Sequence, residues 1–120
     1  MRYEIAKQFS FSAAHQLTKV AADHPCARMH GHNYVVTVWL GANVLTPEGF
    51  VVDYRDLDYI KGWLDSTFDH RTVNDVVEVE PTAENLAYLI LVFCQQRYSQ
   101  VFKVEVKETD KTTAIASRMP

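Results

Sequence analysis

Three histidines and a cysteine carry the clearest chemical potential in this chain. His30 and His32 flank Gly31, Cys26 stands four residues before His30, and His15 lies further upstream. If a strand begins here, His30 and His32 share one face, because strand side chains alternate with period 2. Two imidazoles on one face make half of a tetrahedral zinc site, and His15 supplies a third ligand. Three neutral nitrogen ligands leave one coordination position open, the pattern of catalytic rather than structural zinc. The ordinary alternative is unrelated surface or core histidines. A cupin-type site also uses His-x-His, but it wants a glutamate a few residues on, and none stands between Asn33 and Asn43.

Cys26 admits several readings. It closes the site as a fourth, structural ligand, or it is a plain loop cysteine, or it acts as nucleophile or general base beside the metal, where a nearby cation lowers the thiol pKa from its free value of about 8.5. Asp69-His70 reads either as the end of a helix, with a cationic histidine at the negative pole, or as a proton-accepting histidine oriented by a carboxylate. Glu108 continues the apolar face of Phe102, Val104 and Val106, while Lys103, Glu105 and Lys107 share the other. A buried carboxylate needs partners, so Glu108 is a strand-end residue reaching solvent or an anchor for a ligand edge with adjacent N–H donors. Cys94 falls in an apolar helical stripe and reads as core. His24 precedes a proline in a loop and carries no expected role.

These residues need elements to hold them. Tyr3, Ile5, Phe9, Phe11 and Ala13 alternate with polar residues and predict a strand over 2–14, with His15 on the same parity. Residues 32–42 predict a second strand, apolar on both faces: Tyr34, Val36, Val38 and Leu40 on one, Val35, Thr37 and Trp39 on the other. Thr46-Pro47-Glu48-Gly49 is a turn, followed by a short extended Phe50-Val51-Val52. Asp53 caps a helix running to about Thr67, with Leu57, Ile60, Leu64 and Phe68 as its buried stripe. Thr82 caps a second helix with Leu86, Leu89, Ile90, Phe93 and Cys94 inward. Residues 101–108 and Ala114 to Arg118 predict two further strands around a turn at Asp110-Lys111. The expected class is α+β, with one four-stranded antiparallel sheet and two helices on one face. The connections over 15–31 and 68–81 are long, both hold histidines, and long connections are often functional. The uncovered sheet face and free edges call for self-association into a closed barrel.

Composition sets the outer limits. The chain has 120 residues, 48% hydrophobic and 22% charged, with a net charge of −3. That suits one domain over 1–120 and argues against nonspecific nucleic-acid binding, which needs a basic footprint. The longest apolar stretch, Leu86 to Cys94, is far too short to span a bilayer, and the N-terminus lacks a signal-peptide core. The expectation is a cytoplasmic protein with two reduced cysteines and no membrane partner.

Cys26-Ala27-Arg28-Met29-His30-Gly31-His32-Asn33-Tyr34, preceded by Phe11-Ser12-Ala13-Ala14-His15 and followed by Asp69-His70, Pro81-Thr82-Ala83-Glu84-Asn85 and Glu108-Thr109, resembles the 6-pyruvoyl-tetrahydropterin synthase family over nearly the whole chain. A cysteine three residues away from His-Gly-His is similar to the bacterial 6-carboxy-tetrahydropterin synthase branch, which serves queuosine and other deazapurine synthesis; the 6-pyruvoyl branch has a longer spacing, and the folate-synthesis branch carries glutamate in place of the cysteine. The resemblance implies the tunnelling fold, a barrel of joined sheets, a homohexamer built as a dimer of trimers, and active sites at subunit boundaries. It implies zinc on His15, His30 and His32, Cys26 as proton acceptor, Asp69 and His70 assisting, and Glu108 anchoring the pterin ring. The implied reaction converts 7,8-dihydroneopterin triphosphate to 6-carboxy-5,6,7,8-tetrahydropterin, acetaldehyde and triphosphate. Lys19, Arg28 and Lys111 lie in loops near these segments, and nothing in the sequence selects a phosphate contact among them. The alternatives are a 6-pyruvoyl-tetrahydropterin synthase, or a noncatalytic zinc-stabilised assembly module.

Overall fold

Period-two alternation at the N-terminus becomes two long paired strands. The computed structural model describes residues 1–118. Strand β1 (Tyr3–His15) pairs antiparallel along its whole length with β2 (His30–Ala42). The register sets His15 opposite His30 and Ala13 opposite His32. On the same face Phe9, Phe11 and Ala13 of β1 and Tyr34, Val36, Val38 and Leu40 of β2 are buried. The histidines therefore prolong the core face at the end of the hairpin instead of interrupting it.

Strand β3 (Arg71–Thr72) is two residues long and runs parallel to the end of β1, beyond the four expected strands. The periodicity signal needs more than two residues, so nothing announced it. β4 (Val101–Thr109) pairs antiparallel with β2, and β5 (Thr112–Ser117) with β4, giving the order β3-β1-β2-β4-β5. The sheet is thus five-stranded and mostly antiparallel within the expected α+β class. Phe50-Val51-Val52 forms no strand; Val51 is buried without a ladder partner.

Asp53 caps as expected, its Oδ1 accepting from Arg55 N at 2.9 Å, but the first turn (Tyr54–Leu57) is 3-10 and leads into α1 (Asp58–Thr67). Thr82 caps α2 (Ala83–Arg97), its Oγ1 accepting from Asn85 N at 3.2 Å. Leu57, Ile60 and Leu64 face inward, and so do Leu86, Ala87, Ile90, Leu91 and Cys94. Leu89 and Phe93 sit at the margin of that arc; Phe93 stacks on Trp63 of α1 with centroids 3.7 Å apart and joins the two helices. The core continues from Trp63 through Phe68 and Phe11 to Tyr34 by ring contacts, ending beside His15 and His32.

No described helix is long and apolar enough to cross a membrane. The other sheet face carries Gln8 and Ser10 of β1, Val35, Thr37 and Trp39 of β2, and Ile115 of β5, half-buried or exposed, with no helix laid over them. Trp39 Nε1 is buried there, beneath Lys103, with no hydrogen-bond partner among the described residues.

Candidate metal centre and acid–base groups

The β1–β2 register brings three imidazoles together. Ring centroids are 4.5 Å apart for His15 and His30, 5.0 Å for His15 and His32, and 4.9 Å for His30 and His32, all edge-on. One ring nitrogen from each lies within 4.8 Å of the others. His15 is buried; the other two are half-buried.

Their outer hydrogen bonds dictate which nitrogens face inward. His15 Nδ1 lies 2.7 Å from the carbonyl oxygen of Pro81, and His30 Nδ1 lies 2.7 Å from that of Arg28. A carbonyl only accepts, so each Nδ1 must donate, and in the neutral ring each Nε2 is then a bare lone pair. Yet the two Nε2 atoms are 3.0 Å apart. Two acceptors at that distance repel unless a cation lies between them. Nitrogens sharing a tetrahedral zinc at about 2.0–2.1 Å would stand roughly 3.3 Å apart. His32 Nε2 is buried and without a hydrogen-bond partner among the described residues; Glu108 Oε2 lies 3.6 Å away, too far for a hydrogen bond. Burial holds His32 below the ordinary histidine range, helped by the neighbouring His15 and His30 and opposed by Glu108. A neutral ring is the form that ligates. Three clustered ring nitrogens, two of them on rings whose outer nitrogen donates to a backbone carbonyl, fit a divalent ion. Cys26 lies outside the ligating set.

The two long connections clasp each other around this centre. Asn74 mimics a strand neighbour for Gln16, accepting from its N–H at 2.9 Å and donating to its carbonyl at 2.8 Å. Glu80 accepts from the backbone N–H groups of Thr18 and Lys19 and from Thr18 Oγ1. Asn85 donates to the Glu80 carbonyl at 2.9 Å. The Pro81-Thr82-Ala83-Glu84-Asn85 segment therefore does more than start α2; it presents the carbonyl that orients His15. Sequence reading gave Asn74, Glu80 and Pro81 no part in the site, because they act through backbone partners more than fifty residues away.

Beside the imidazoles, a cleft of about 390 Å³ is lined by His15, Leu17, Cys26, Thr82, Glu84, Glu108, Thr112 and Thr113. Cys26 and Glu108 thus share a cleft with a histidine of the candidate metal centre, and Glu84 adds a second carboxylate to which the sequence assigned no site role. Cys94 lies fully buried under α2, and burial pushes its thiol up to about 12. It is a core residue, as expected.

Asp69 and His70 are not in that cleft. They precede β3 at the sheet edge, and His70 lines a different depression with Ser12, Ala14, Asn33 and His32, so this depression borders one of the three clustered histidines as the cleft borders His15. Asp69 Oδ1 accepts from Ser12 N at 2.9 Å and Oδ2 accepts from His70 Nδ1 at 2.8 Å; these bonds, the first foremost, hold the Asp69 carboxyl below its usual range. His70 Nε2 is thereby left as the free basic atom of a side chain that is 82% exposed. His70 also has a left-handed backbone (φ 58°), fixed by its N–H donating to the Ser12 carbonyl at 2.6 Å. Such backbone strain in a non-glycine residue clusters at functional sites.

Known proteins are similar to this chain in sequence and in fold. The family profile described as 6-pyruvoyl tetrahydropterin synthase matches residues 4–118. A protein of Archaeoglobus fulgidus named putative 6-carboxy-5,6,7,8-tetrahydropterin synthase is 34% identical over 101 residues, 84% of each chain. A Synechocystis protein named 6-carboxy-5,6,7,8-tetrahydropterin synthase is 32% identical over 117 residues, covering 92% of this chain and 89% of its own. The solved structure of Caenorhabditis elegans 6-pyruvoyl tetrahydropterin synthase superimposes with a TM-score of 0.88 at 28% identity, covering 99% of this chain and 97% of that one. From its sequence and its fold alike, the chain belongs to the 6-pyruvoyl tetrahydropterin synthase family of enzymes.

Proposed function

We propose that this protein is a zinc-dependent lyase that converts 7,8-dihydroneopterin triphosphate to 6-carboxy-5,6,7,8-tetrahydropterin, acetaldehyde and triphosphate, within queuosine or another deazapurine synthesis in the cytoplasm. The observation that carries the reading is a cleft uniting Cys26, Glu108 and a buried histidine of the metal centre. The three-residue spacing between Cys26 and His30, and the names of the Archaeoglobus and Synechocystis relatives, favour the carboxy product. The likeness to the Caenorhabditis structure keeps 6-pyruvoyl-tetrahydropterin synthase as the second reading.

His15, His30 and His32 would hold the ion. Zinc bound there supplies Lewis acidity to substrate oxygens, which acidifies neighbouring C–H and O–H groups. Cys26 as thiolate takes the proton, and such acid–base assistance is worth about 10²–10⁴-fold in rate. Glu108, which lines the same cleft, accepts from the paired N–H donors of a pterin edge and sets which substrate carbon faces Cys26. Asp69 stays ionised and fixes His70 with Nδ1 protonated, so His70 Nε2 is ready to accept or relay a proton. Because the exposed His70 does not line the cleft of its own chain's Cys26, we assign it to the site of a neighbouring copy, and a homohexamer, a dimer of trimers with joined sheets, would bring the two together. The uncovered face with Val35, Thr37, Trp39 and Ile115 supports that assembly.

Mass spectrometry of products from dihydroneopterin triphosphate and zinc-loaded protein tests the reading. Acetaldehyde with the carboxy product is expected; a pyruvoyl product transfers the protein to the second reading, and no turnover sinks both. Cys26→Ala is expected to lower turnover by about 10²–10⁴-fold with zinc content unchanged; loss of zinc along with the thiol would return Cys26 to the ligand set. Glu108→Gln should raise KM for the pterin substrate at full zinc occupancy, and an unaltered KM would remove Glu108 from the substrate site. Mixing separately inactive Cys26→Ala and His70→Ala chains, after subunit exchange, should restore part of the activity. Persistent inactivity of the mixed oligomer would place both groups in one chain's site.

A further inference from the structure

The residue that sequence reading passed over, His24, holds the backbone of Cys26. Cys26 lies in a single 3-10 turn, Pro25–Ala27, too short to satisfy its own N–H groups. The Cys26 N–H donates to His24 Nδ1 at 3.0 Å. On the other side, the Cys26 carbonyl accepts from Leu17 N at 2.8 Å. His24 is itself anchored, its N–H donating to the Ala21 carbonyl and its carbonyl accepting from Ala27 N, both at 2.9 Å. Pro25 fixes the turn's first dihedral and removes one donor. Both polar groups of the Cys26 backbone are thus taken, one by the strand end that carries His15 and one by an imidazole. Histidine is an uncommon cap. It serves here because Nδ1 sits where an asparagine Oδ1 would, which is the usual capping atom.

We infer that His24 is a positioning residue: its imidazole acceptor fixes the place of the Cys26 side chain in the cleft with His15 and Glu108, and so sets the efficiency of proton transfer without touching substrate. The inference rests on the acid–base role given to Cys26 above. Displacing a reacting group by about an ångström costs on the order of a hundredfold, whereas losing the cap on an exposed loop leaves the core and the imidazole ligands intact.

Two near-isosteres separate the ring nitrogens. Asparagine places its oxygen at the Nδ1 position, and glutamine places its oxygen near Nε2. In zinc-loaded full-length protein, His24→Ala and His24→Gln should lower kcat by roughly tenfold to a hundredfold, with KM and zinc content unchanged. His24→Asn should stay within about threefold of the parent, as expected when the capping atom is kept. Amide hydrogen exchange at Cys26, read by NMR, should quicken in the Ala and Gln variants and not in the Asn variant. Rescue by Gln and not Asn would overturn the inference and make His24 a group acting through Nε2. Full kcat in His24→Ala, or unchanged exchange in all three variants, would overturn it too. If the parent protein turns over no pterin triphosphate, the functional reading fails on its own. The exchange series then decides separately whether the imidazole holds Cys26.

Discussion

Two nitrogen lone pairs aimed at each other across 3.0 Å are the constraint on which the rest depends. Backbone carbonyls of Pro81 and Arg28 claim the protons of His15 and His30, so the inner nitrogens have nothing left to donate. A third imidazole, kept neutral by burial, adds another unpartnered acceptor. Without a cation this is a concentration of repulsion at the end of an otherwise apolar hairpin. With one, the same three ring nitrogens, already within 4.8 Å of one another, become a ligand set. The register of β1 against β2 is what the site requires: a slip of one residue would send every side chain of one strand to the other face and scatter the rings.

The second constraint is the division of labour between the two faces of the sheet. The helix-covered face leads from Trp63 through Phe68, Phe11 and Tyr34 to the metal centre and the cleft of Cys26 and Glu108. The edge beyond β1 leads to Asp69 and His70, held by both backbone groups of Ser12 in a conformation that turns the basic nitrogen outward. One chain thus places Cys26 and Glu108 in one cleft and His70 in another depression, each bordered by a histidine of the cluster. The association of copies proposed above would complete the site and cover the half-apolar open face at the same time.

Much of this was legible in the sequence, for identifiable reasons. Period-two alternation through Phe9, Phe11, Ala13 and His15 gave both the strand and the face of its histidine, and alternation through Phe102, Val104 and Val106 put Glu108 on the apolar face of its strand, though not beside His32, where the structure has it. The capping residues Asp53 and Thr82 stood where a helix start needs them. The illegible parts act through the backbone or over long sequence distances. A two-residue strand has no period. Asn74 and Glu80 look like loop residues until Gln16 and Thr18 are beside them. His24 looks idle because its work is to accept one N–H two residues on, although a histidine before proline at capping distance from Cys26 is the signal that was there. Nor could spacing reveal that Asp69 and His70 lie outside the cleft that Cys26 lines.

X-ray absorption at the metal edge of the zinc-loaded protein tests the central claim most directly. The account predicts three imidazole nitrogens and one oxygen at about 2.0–2.1 Å, with the oxygen exchangeable for added ligand and no heavier neighbour. A sulfur shell at about 2.3 Å, or fewer than three imidazoles around the ion, would contradict it.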